Sequence, residues 1–433
     1  MPRLDAFLEP FIESMARQEQ YDHASTYVKG LLSDLEQKNV ESIAYRFGQE
    51  RLGLQKFIGI SDWDDELLRM VLAEQVGQQL GEQEGIISFD PSGFKKSGKN
   101  SVGTKRQWLG RFGKVDNGQV AVYLGYVSSK EHALVDTRLY LPKEWADDKK
   151  RRKQAGVPEE IRYKTRHQLS LQMLDEKGSL LPHSWITGDD EMGRPYWFRR
   201  ALDKRNEQYL LAIPSNTLIR DMDAEPPAYK GVGQPPKRPW QRVDKWIKSL
   251  HENEWTTIDV RDGAKGPLEV QIVKRRVAAR TNQRRQAPQE TRVVTRYRNR
   301  DEKSATETDY HLSNAPYDTT LEEFARVAKG HHRIEECFQR AKGEAGLADY
   351  QVRNWRGWHH HQTLCLIGCW FLVTETRRGK KMDTGNCPST DTRHHRSRHS
   401  PTFGVRNLPT DHLGARALGT TKRARTLLPL ETT

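Results

Sequence analysis

Three acidic residues that are far apart in the sequence have positions suited to binding metal ions. Asp90 and Asp189 each follow a short apolar run, and Glu335 lies in a segment with helical periodicity. Carboxylate oxygens are ligands that Mg²⁺ prefers, and two such ions about 4 Å apart can drive phosphoryl transfer. The three residues therefore predict a magnesium site that activates a water or a 3′ hydroxyl for attack on a phosphodiester.

A helix would bring Lys342 close to Glu335. The two residues are seven positions apart (342 minus 335), so they lie near the same helix face, about 10.5 Å apart along the axis. One side chain can then bind metal while the other contacts a phosphate. Glu336 is the competing carboxylate, but it points about 100° away from that face.

The elements around these residues follow the order of an RNase H-like core. Three antiparallel strands are followed by helix, strand, helix and strand, which gives a mixed sheet flanked by helices. We therefore predict an α/β fold with an RNase H-like mixed-sheet catalytic core, a helical N-terminal domain and a β-rich insertion. The first strand is expected to end at Asp90. The predicted strands are 86–89, 120–127, 133–141, 184–187 and 209–213, and the predicted helices are 165–176 and 195–204.

Periodicity and composition divide the chain into five segments. They are 1–80 (helical N-terminal domain), 81–213 (first part of the core), 214–318 (β-rich insertion with basic loops), 319–376 (second part of the core, with the Glu335 helix) and 377–433 (basic tail, expected to be disordered). The insertion contains four strand-like runs, 255–260, 268–274, 292–297 and 308–312. Within the first segment, residues 51–72 form two short predicted helices, which are either a helix-turn-helix DNA reader or a packing unit.

The helix that carries Glu335 has a start signal and an apolar stripe. Thr320 and Glu323 have the spacing of a capping box. Apolar residues recur at helical spacing after Gly330 and predict the side that faces the core. They are Ile334, Cys337, Phe338, Ala341 and Ala345.

The overall composition favours a polyanionic partner. The 433 residues include 71 Lys and Arg against 58 Asp and Glu, a net charge of +13, with a mean hydropathy of −0.86. A solvated basic surface would give the same composition. The 4 cysteines form no CxxC pair, which argues against a zinc knuckle or a disulfide framework. No secretion signal or membrane-length apolar run occurs, so we expect a cytoplasmic protein with no membrane partner.

Two segments resemble the metal-binding motifs of bacterial insertion-sequence transposases of the DDE type, the group with a β-rich insertion. The family's first Asp ends a strand and precedes a small, polar and basic stretch, which is similar to ISFDPSGFKKSG around Asp90. Its second Asp lies in a D-x-x-Y-G pattern, which resembles Asp189-Asp190-Glu191-Met192-Gly193 with Met in place of Tyr. The spacing to the glycine favours the first of the two adjacent aspartates.

The third motif of this family is Y-x2-R-x3-E-x6-K on a helix, and the resemblance covers roughly residues 40–375. Glu335 and Lys342 are in register with it, whereas His331 stands at the Arg position and Ala328 at the Tyr position. Two alternatives stay open, and the departures at these positions bear on the first. One is a catalytically impaired, transposase-derived DNA-binding protein, and the other is a metal-dependent nuclease without strand transfer.

The resemblance implies roles for particular residues. Asp90, Asp189 and Glu335 would be the catalytic metal ligands for Mg²⁺, with Mn²⁺ able to substitute. The implied partners are double-stranded DNA, as transposon terminal inverted repeats and as target DNA, and a second copy of the chain in a homodimer on DNA. The implied location is the bacterial cytoplasm, in association with the nucleoid. The residues expected to bind DNA phosphates are Lys342, Arg333, Lys95 and Lys96.

Histidine and tryptophan residues suggest further contacts. The run 359–361 consists of three histidines, which on a helix face three directions, so we expect a solvated or DNA-facing surface rather than a metal site. Trp240, Trp246 and Trp255 could stack on a flipped base, although core packing is the favoured interpretation for each.

Overall fold

A computed structural model describes residues 2–13, 15–263, 266–281, 286–298 and 305–385. The helices are α1 (Pro2–Ile12), α2 (Gln18–Leu31), α3 (Val40–Arg46), α4 (Arg51–Gly59), α5 (Asp65–Leu80), α6 (Lys143–Asp147), α7 (Lys149–Gln154), α8 (Arg166–Lys177), α9 (Asp190–Gly193), α10 (Tyr196–Asp203), α11 (Val243–Trp246), α12 (Leu321–Gly343) and α13 (Trp355–Gly385). The strands are β1 (Ile86–Lys95), β2 (Lys105–Leu109), β3 (Lys114–Val127), β4 (His132–Leu139), β5 (Trp185–Gly188), β6 (Tyr209–Ala212), β7 (Leu218–Asp221), β8 (Gln241–Arg242), β9 (Thr256–Gly263), β10 (Gly266–Arg280), β11 (Gln286–Arg298) and β12 (Ala305–Ser313). None of the described helices is long and apolar enough to span a membrane.

Five strands form a mixed core sheet in the order β4-β3-β1-β5-β6. β3 pairs antiparallel with both β1 and β4, whereas β1, β5 and β6 are parallel. Parallel neighbours need crossover connections, and here α8 precedes β5 while α10 joins β5 to β6. This is the mixed α/β topology of an RNase H-like core, which confirms the predicted fold class.

The first strand continues past Asp90, contrary to the prediction that it ends there. β1 remains paired with β3 as far as Lys95, whereas its pairing with β5 stops at Phe89, opposite Gly188. Proline cannot donate to a strand ladder, and Pro91 is tolerated because β5 no longer runs beside β1 at that point. Asp90 is therefore held by a strand that is paired on one side only.

α12 lies close to the sheet because two glycines leave room for it. A Cβ atom at Gly330 would come within 2.5 Å of Ile86 Cδ1, and one at Gly125 would come within 2.4 Å of Ile334 Cδ1. A larger residue at either position would push the helix away from the strands. Four residues of the predicted apolar stripe are buried on this helix, namely Ile334, Cys337, Phe338 and Ala341. The fifth, Ala345, is also buried but lies beyond the end of α12 at Gly343.

The start of α12 differs in one respect from the predicted capping box. The Thr320 side chain caps the helix by accepting a hydrogen bond from the N–H of Glu323 at 3.2 Å. The Glu323 carboxylate instead accepts the indole N–H of Trp185 at 2.6 Å. A buried indole needs a hydrogen-bond acceptor, so the second half of the box is replaced by a contact that ties α12 to β5.

The β-rich insertion extends the core sheet. Its last strand, β12, pairs antiparallel with β6, and β11, β10 and β7 follow in order. The four strand-like runs predicted for this segment correspond to β9–β12. Trp246 and Trp255 pack in the insertion's own apolar cluster, which is the interpretation favoured from the sequence. Trp240 is half-buried, with the Arg220 guanidinium 4.3 Å from its ring centre.

The N-terminal helices pack against α13. The prediction that the histidines at 359–361 face solvent or DNA is wrong, because all three are buried. His361 Nδ1 lies 2.9 Å from the Tyr27 hydroxyl, and both ring nitrogens of His360 lie 3.0 Å from backbone carbonyl oxygens. Such partners make the burial of polar rings possible. α13 itself continues past Thr376 to Gly385, and the remainder of the predicted tail, 386–433, lies outside the described residues.

Candidate active site

Asp90 and Asp189 are brought together by neighbouring parallel strands. In the ladder between β1 and β5, the last paired residue of each strand immediately precedes its aspartate. Asp189 Oδ1 accepts a hydrogen bond from the N–H of Met192 at 3.0 Å and thereby caps α9. This bond fixes the direction of the Asp189 carboxylate, whereas Asp190 is already part of the helix. The geometry therefore supports Asp189 as the partner of Asp90.

α12 places Glu335 and Lys342 in the same cleft as Asp90. Lys342 Nζ donates a hydrogen bond to Ser92 Oγ at 2.9 Å, and Ser92 lies on the same face of β1 as Asp90 because strand residues alternate. The Glu335 side chain is 62% exposed, so it remains accessible to a large substrate. The cleft is lined by Asp90, Pro91, Ser92, Gly110, Glu335, Phe338, Gln339, Lys342, Gly343, Ala348 and Asp349.

The carboxylates of this cleft carry more negative charge than the protein neutralises. Burial and then the charge of Glu335 raise the pKa of Asp90 to about 7, although Lys342 acts in the opposite direction. Burial and then the charge of Asp90 raise the pKa of Asp189 well above its usual value. A divalent cation would relieve this repulsion, and oxygen donors of this kind suit magnesium. The residues present therefore fit a metal site.

Arg333, a predicted phosphate ligand, is not among the residues that line the cleft. Its Nη1 donates a hydrogen bond to the carbonyl oxygen of Ser128 at 3.1 Å, in the turn between β3 and β4. Arg333 and Glu335 are two positions apart, which turns the side chains to different faces of α12. Arg333 is accordingly removed from the set of expected phosphate ligands.

Lys95, the last residue of β1, and Lys96, the next residue, differ in exposure. Lys95 is exposed, and its Nζ lies 3.3 Å from Asp116 Oδ2. Lys96 Nζ lies 3.4 Å from the centre of the Tyr350 ring, and burial lowers the pKa of Lys96 to about 8. Lys95 remains available to a nearby phosphate, whereas Lys96 has a packing role.

Asp309 and His332 connect the insertion to Glu335, a link that the sequence analysis missed. His332 Nε2 lies 3.5 Å from Asp309 Oδ2 on β12, and its Nδ1 lies 4.0 Å from Glu335 Oε2. The pairing of β12 with β6 is long-range, so no local sequence signal reveals it. Ser92 was also missed, but it could have been found from the two-residue period of β1.

The two motif positions that depart from the family pattern hold one buried and one half-buried residue. Ala328 is 3% exposed, and His331 Nδ1 lies 3.1 Å from Ser88 Oγ. Burial, followed by the charges of neighbouring histidines, lowers the pKa of His331 to about 4. His331 is therefore a neutral packing residue under ordinary conditions, and it supplies no cation to the cleft.

A second group of carboxylates lies away from the cleft. Oxygens of Glu66, Asp136 and Glu176 all lie within 4.8 Å of one another. Among the described residues, the carboxylates of the Asp90 cleft do not come as close together. Three cations lie within 3.1 Å of the Asp136 carboxylate, namely Arg69, Arg138 and Lys177. Burial would raise the pKa of Asp136, but these three cations lower it overall. The group is a compensated ion-pair network rather than a metal site.

The RNase H-like sheet, with aspartates on β1 and directly after β5 and a glutamate on α12, defines the class of DDE-type nucleic-acid enzymes. The chain belongs to the DDE superfamily endonucleases, whose family model matches residues 10–267. It is also 29% identical over 246 residues to the probable transposase for insertion sequence element IS701 of Microchaete diplosiphon, an alignment that covers 55% of this chain and 59% of that relative. The family match includes Asp90 and Asp189 and ends before Glu335.

Proposed function

We propose that the protein is a DNA transposase that cuts the ends of its insertion sequence and joins them to target DNA. The observation that carries this proposal is that Asp90 and Glu335 line one cleft, while Asp189 directly follows the strand that pairs with the strand of Asp90, in a chain of the DDE superfamily endonucleases. The name of the relative, a probable transposase, favours transposition over the other reactions of this fold class.

Asp90, Asp189 and Glu335 are proposed to hold Mg²⁺, with Mn²⁺ able to replace it. When bound, such ions make a water or hydroxyl nucleophilic and stabilise the leaving oxygen. The protein's own part is to fix the ligands, through the strand that carries Asp90 and the helix cap formed by Asp189. Lys342, oriented by Ser92, would contact a non-bridging oxygen of the reacting phosphate.

The same site would serve two successive reactions on double-stranded DNA. In the first, water attacks the phosphodiester at the boundary of the terminal inverted repeat, and the bond to the 3′ oxygen breaks to release a 3′ hydroxyl. In the second, that hydroxyl attacks a phosphodiester of target DNA, so that one P–O bond forms as another breaks. We propose that a homodimer holds the two element ends together, in the cytoplasm at the nucleoid.

A cleavage assay with a matched pair of variants tests this proposal. A labelled duplex with the element's terminal repeat would be incubated with Mg²⁺, with EDTA, and with either Glu335→Gln or Glu336→Gln. Glu336 is 55% exposed and adjacent to Glu335, so it controls for the charge change. We expect nicking at the repeat boundary with wild type and Glu336→Gln, and none with EDTA or Glu335→Gln. Equal loss in both variants would contradict the assignment of Glu335.

Added target DNA separates transposition from simple hydrolysis. A joined product of labelled end and target is expected, whereas cleavage without any joined product would identify a metal-dependent nuclease. Target DNA and repeat duplex are supplied together, because the 3′ hydroxyl made in the first reaction is the nucleophile of the second.

Ala328, which is buried, and His331, which contacts Ser88, favour a second candidate, a DNA-binding protein with impaired catalysis. Neither residue supplies the cation or hydroxyl that the family pattern has at these positions of α12. The expected result under this alternative is specific binding to the terminal repeat without cleavage in Mg²⁺ or Mn²⁺. Restoration of cleavage by His331→Arg would then locate the defect.

A further inference from the structure

The turn between β2 and β3 borders the candidate active site and exposes large apolar side chains. We call residues 108–115 the β2–β3 tip. Gly110 of the tip lines the cleft together with Asp90 and Lys342. Trp108 and Phe112, two residues to either side of Gly110, are 43% and 42% exposed. Aromatic rings of this size are usually buried, so their exposure at the edge of the cleft indicates a surface that contacts a ligand.

The tip is firmly anchored to the sheet. Leu109 is fully buried, and its Cδ2 lies 2.9 Å from the place that a Cβ atom at Gly93 would occupy. Gln107 Nε2 donates a hydrogen bond to the carbonyl oxygen of Gly118 at 2.9 Å. Trp108 is thus presented by a strand whose neighbouring side chains are fixed, which reduces the entropy lost when a ligand contacts its ring.

Trp108 lies on the face of the sheet that carries Asp90. On β3, Val115 is opposite Trp108 and Tyr123 is opposite Asp90. Directly opposed residues point to the same face, and Val115 and Tyr123 are separated by an even number of positions along one strand. The aromatic ring and the metal-binding carboxylate therefore project from the same side of the sheet.

The surroundings of the tip are basic. Arg106 is exposed and lies on the same face as Trp108, two residues away along β2. Lys95 and Lys114 share a single carboxylate, that of Asp116, at 3.3 and 3.4 Å. Positive charge is therefore left over, which suits a polyanion and disfavours a second copy of the same basic tip.

We propose that Trp108 stacks on a base of the DNA strand next to the phosphodiester that is cut, an inference that rests on the proposed function. Every base offers a π-face to an aromatic side chain, and an aromatic ring beside cations is the usual platform for unpaired nucleotides. A base beside the cut that leaves the helix would expose the phosphodiester to the carboxylates. Stacking on Trp108 would hold such a base in place, while Arg106 contacts the neighbouring phosphate.

The test compares Trp108→Ala and Trp108→Phe with Trp197→Ala. Trp197, on α10, is also 43% exposed, so it controls for removal of a surface indole. The probe is the terminal-repeat duplex with 2-aminopurine at each position flanking the cut, in EDTA so that no cleavage occurs. With wild type we expect 2-aminopurine fluorescence to change at one position next to the cut, because the base unstacks from its neighbours and stacks on Trp108.

Trp108→Ala should lose this position-specific signal and bind the duplex roughly 10-fold more weakly. Trp108→Phe should keep most of the signal, and Trp197→Ala should match wild type in both signal and affinity. Circular dichroism establishes that the variants are folded. Retention of the fluorescence signal and of DNA affinity in Trp108→Ala would overturn the inference. So would a change in the oligomeric state of Trp108→Ala, measured by light scattering, with unchanged DNA binding.

Failure of the stacking inference is distinguishable from failure of the proposed function. Wild type that cleaves in Mg²⁺, with Trp108→Ala giving wild-type fluorescence, would leave the transposase proposal intact and remove the stacking role. Wild type that neither binds nor cleaves the duplex would overturn both. The fluorescence signal is read without metal, so it does not depend on catalysis.

Discussion

Two groups of carboxylates in this protein have opposite electrostatic settings. Asp136, in the network with Glu66 and Glu176, has three cations within 3.1 Å, and its pKa is lowered. Burial raises the pKa of both Asp90 and Asp189, and the charge of Glu335 adds to the rise at Asp90 as the charge of Asp90 does at Asp189. The network brings its oxygens closer together than the cleft does, so closeness of carboxylates does not by itself identify a metal site. What indicates a metal site is negative charge that neighbouring cations do not balance.

The comparison predicts different costs when a carboxylate is neutralised. In the cleft, removing one charge relieves repulsion but removes a metal ligand, so activity should suffer and folding should not. In the network, removing one charge takes away part of the compensation of buried cations, so folding should suffer.

Asp90→Asn and Asp189→Asn should each reduce Mg²⁺-dependent cleavage at least ~10³-fold, which corresponds to about 4 kcal/mol in activation free energy. Each variant removes a proposed metal ligand and should have a melting temperature no lower than that of wild type. Cleavage of the terminal-repeat duplex and thermal unfolding measure the two effects. Asp190→Asn is the matched control, and its cleavage rate should stay within a few-fold of the wild-type rate. If Asp190→Asn lost cleavage and Asp189→Asn kept it, the metal ligand would be Asp190.

Asp136→Asn should lower the free energy of unfolding by about 3 kcal/mol, because it leaves the buried side chains of Arg69 and Lys177 without their shared partner. Urea unfolding at neutral pH measures this change. Glu176→Gln should cost less than about 1 kcal/mol, since the Glu176 side chain is 36% exposed. Equal free energies of unfolding for Asp136→Asn and wild type would show that Asp136 does not stabilise the fold by compensating these cations.

Acid should lower the free energy of unfolding, in part through His359, which lies on the side of the molecule that carries the Asp136 network. His359 lies beside Asp65, and burial lowers the pKa of His359 to about 4. The unfolded chain takes up a proton near pH 6.5 and the folded chain does not, so stability is full above that pH and falls as pH drops from 6.5 towards 4. His359→Gln should reduce this loss by roughly 1 kcal/mol per pH unit. Urea unfolding at stepped pH measures the slope, and an unchanged slope would exclude His359 as a contributor.

His332→Gln should lower the cleavage rate by a smaller factor, roughly 3- to 10-fold, or about 1 kcal/mol. The change removes the Asp309 contact that orients the ring beside Glu335. Because the role is one of positioning, the effect should fall on the maximal rate and not on the affinity for DNA. Asp309→Asn should have a similar effect, and the double variant should be no worse than either one. An additive loss would show that the two residues act independently.

The sequence was sufficient for the order of the core strands and for placing Glu335 and Lys342 near one face of a helix. Alternation of strands and helices predicted the core topology, and a seven-residue spacing placed Lys342 beside Glu335. Both features are local, so the pattern of a single segment contains them. The apolar stripe of α12 is local in the same sense, and it is buried as predicted.

Features that depend on long-range pairing could not be predicted from local patterns. β1 continues past Asp90 because β3 still pairs with it. The histidines at 359–361 are polar by type, and their burial depends on carbonyl and hydroxyl partners in the N-terminal helices. Arg333 was expected at the cleft from its proximity in sequence, but the turn after β3 offers its guanidinium an acceptor on another face.

The central claim is that the uncompensated cleft, and not the compensated network, binds the metal. Mn²⁺ binding to the protein with terminal-repeat DNA, followed as loss of the free-ion electron paramagnetic resonance signal, tests it directly in wild type, Asp90→Asn and Glu176→Gln. We predict that Asp90→Asn abolishes the tight binding and that Glu176→Gln leaves it unchanged. Retention of binding in Asp90→Asn together with its loss in Glu176→Gln would contradict the account and place the metal in the network.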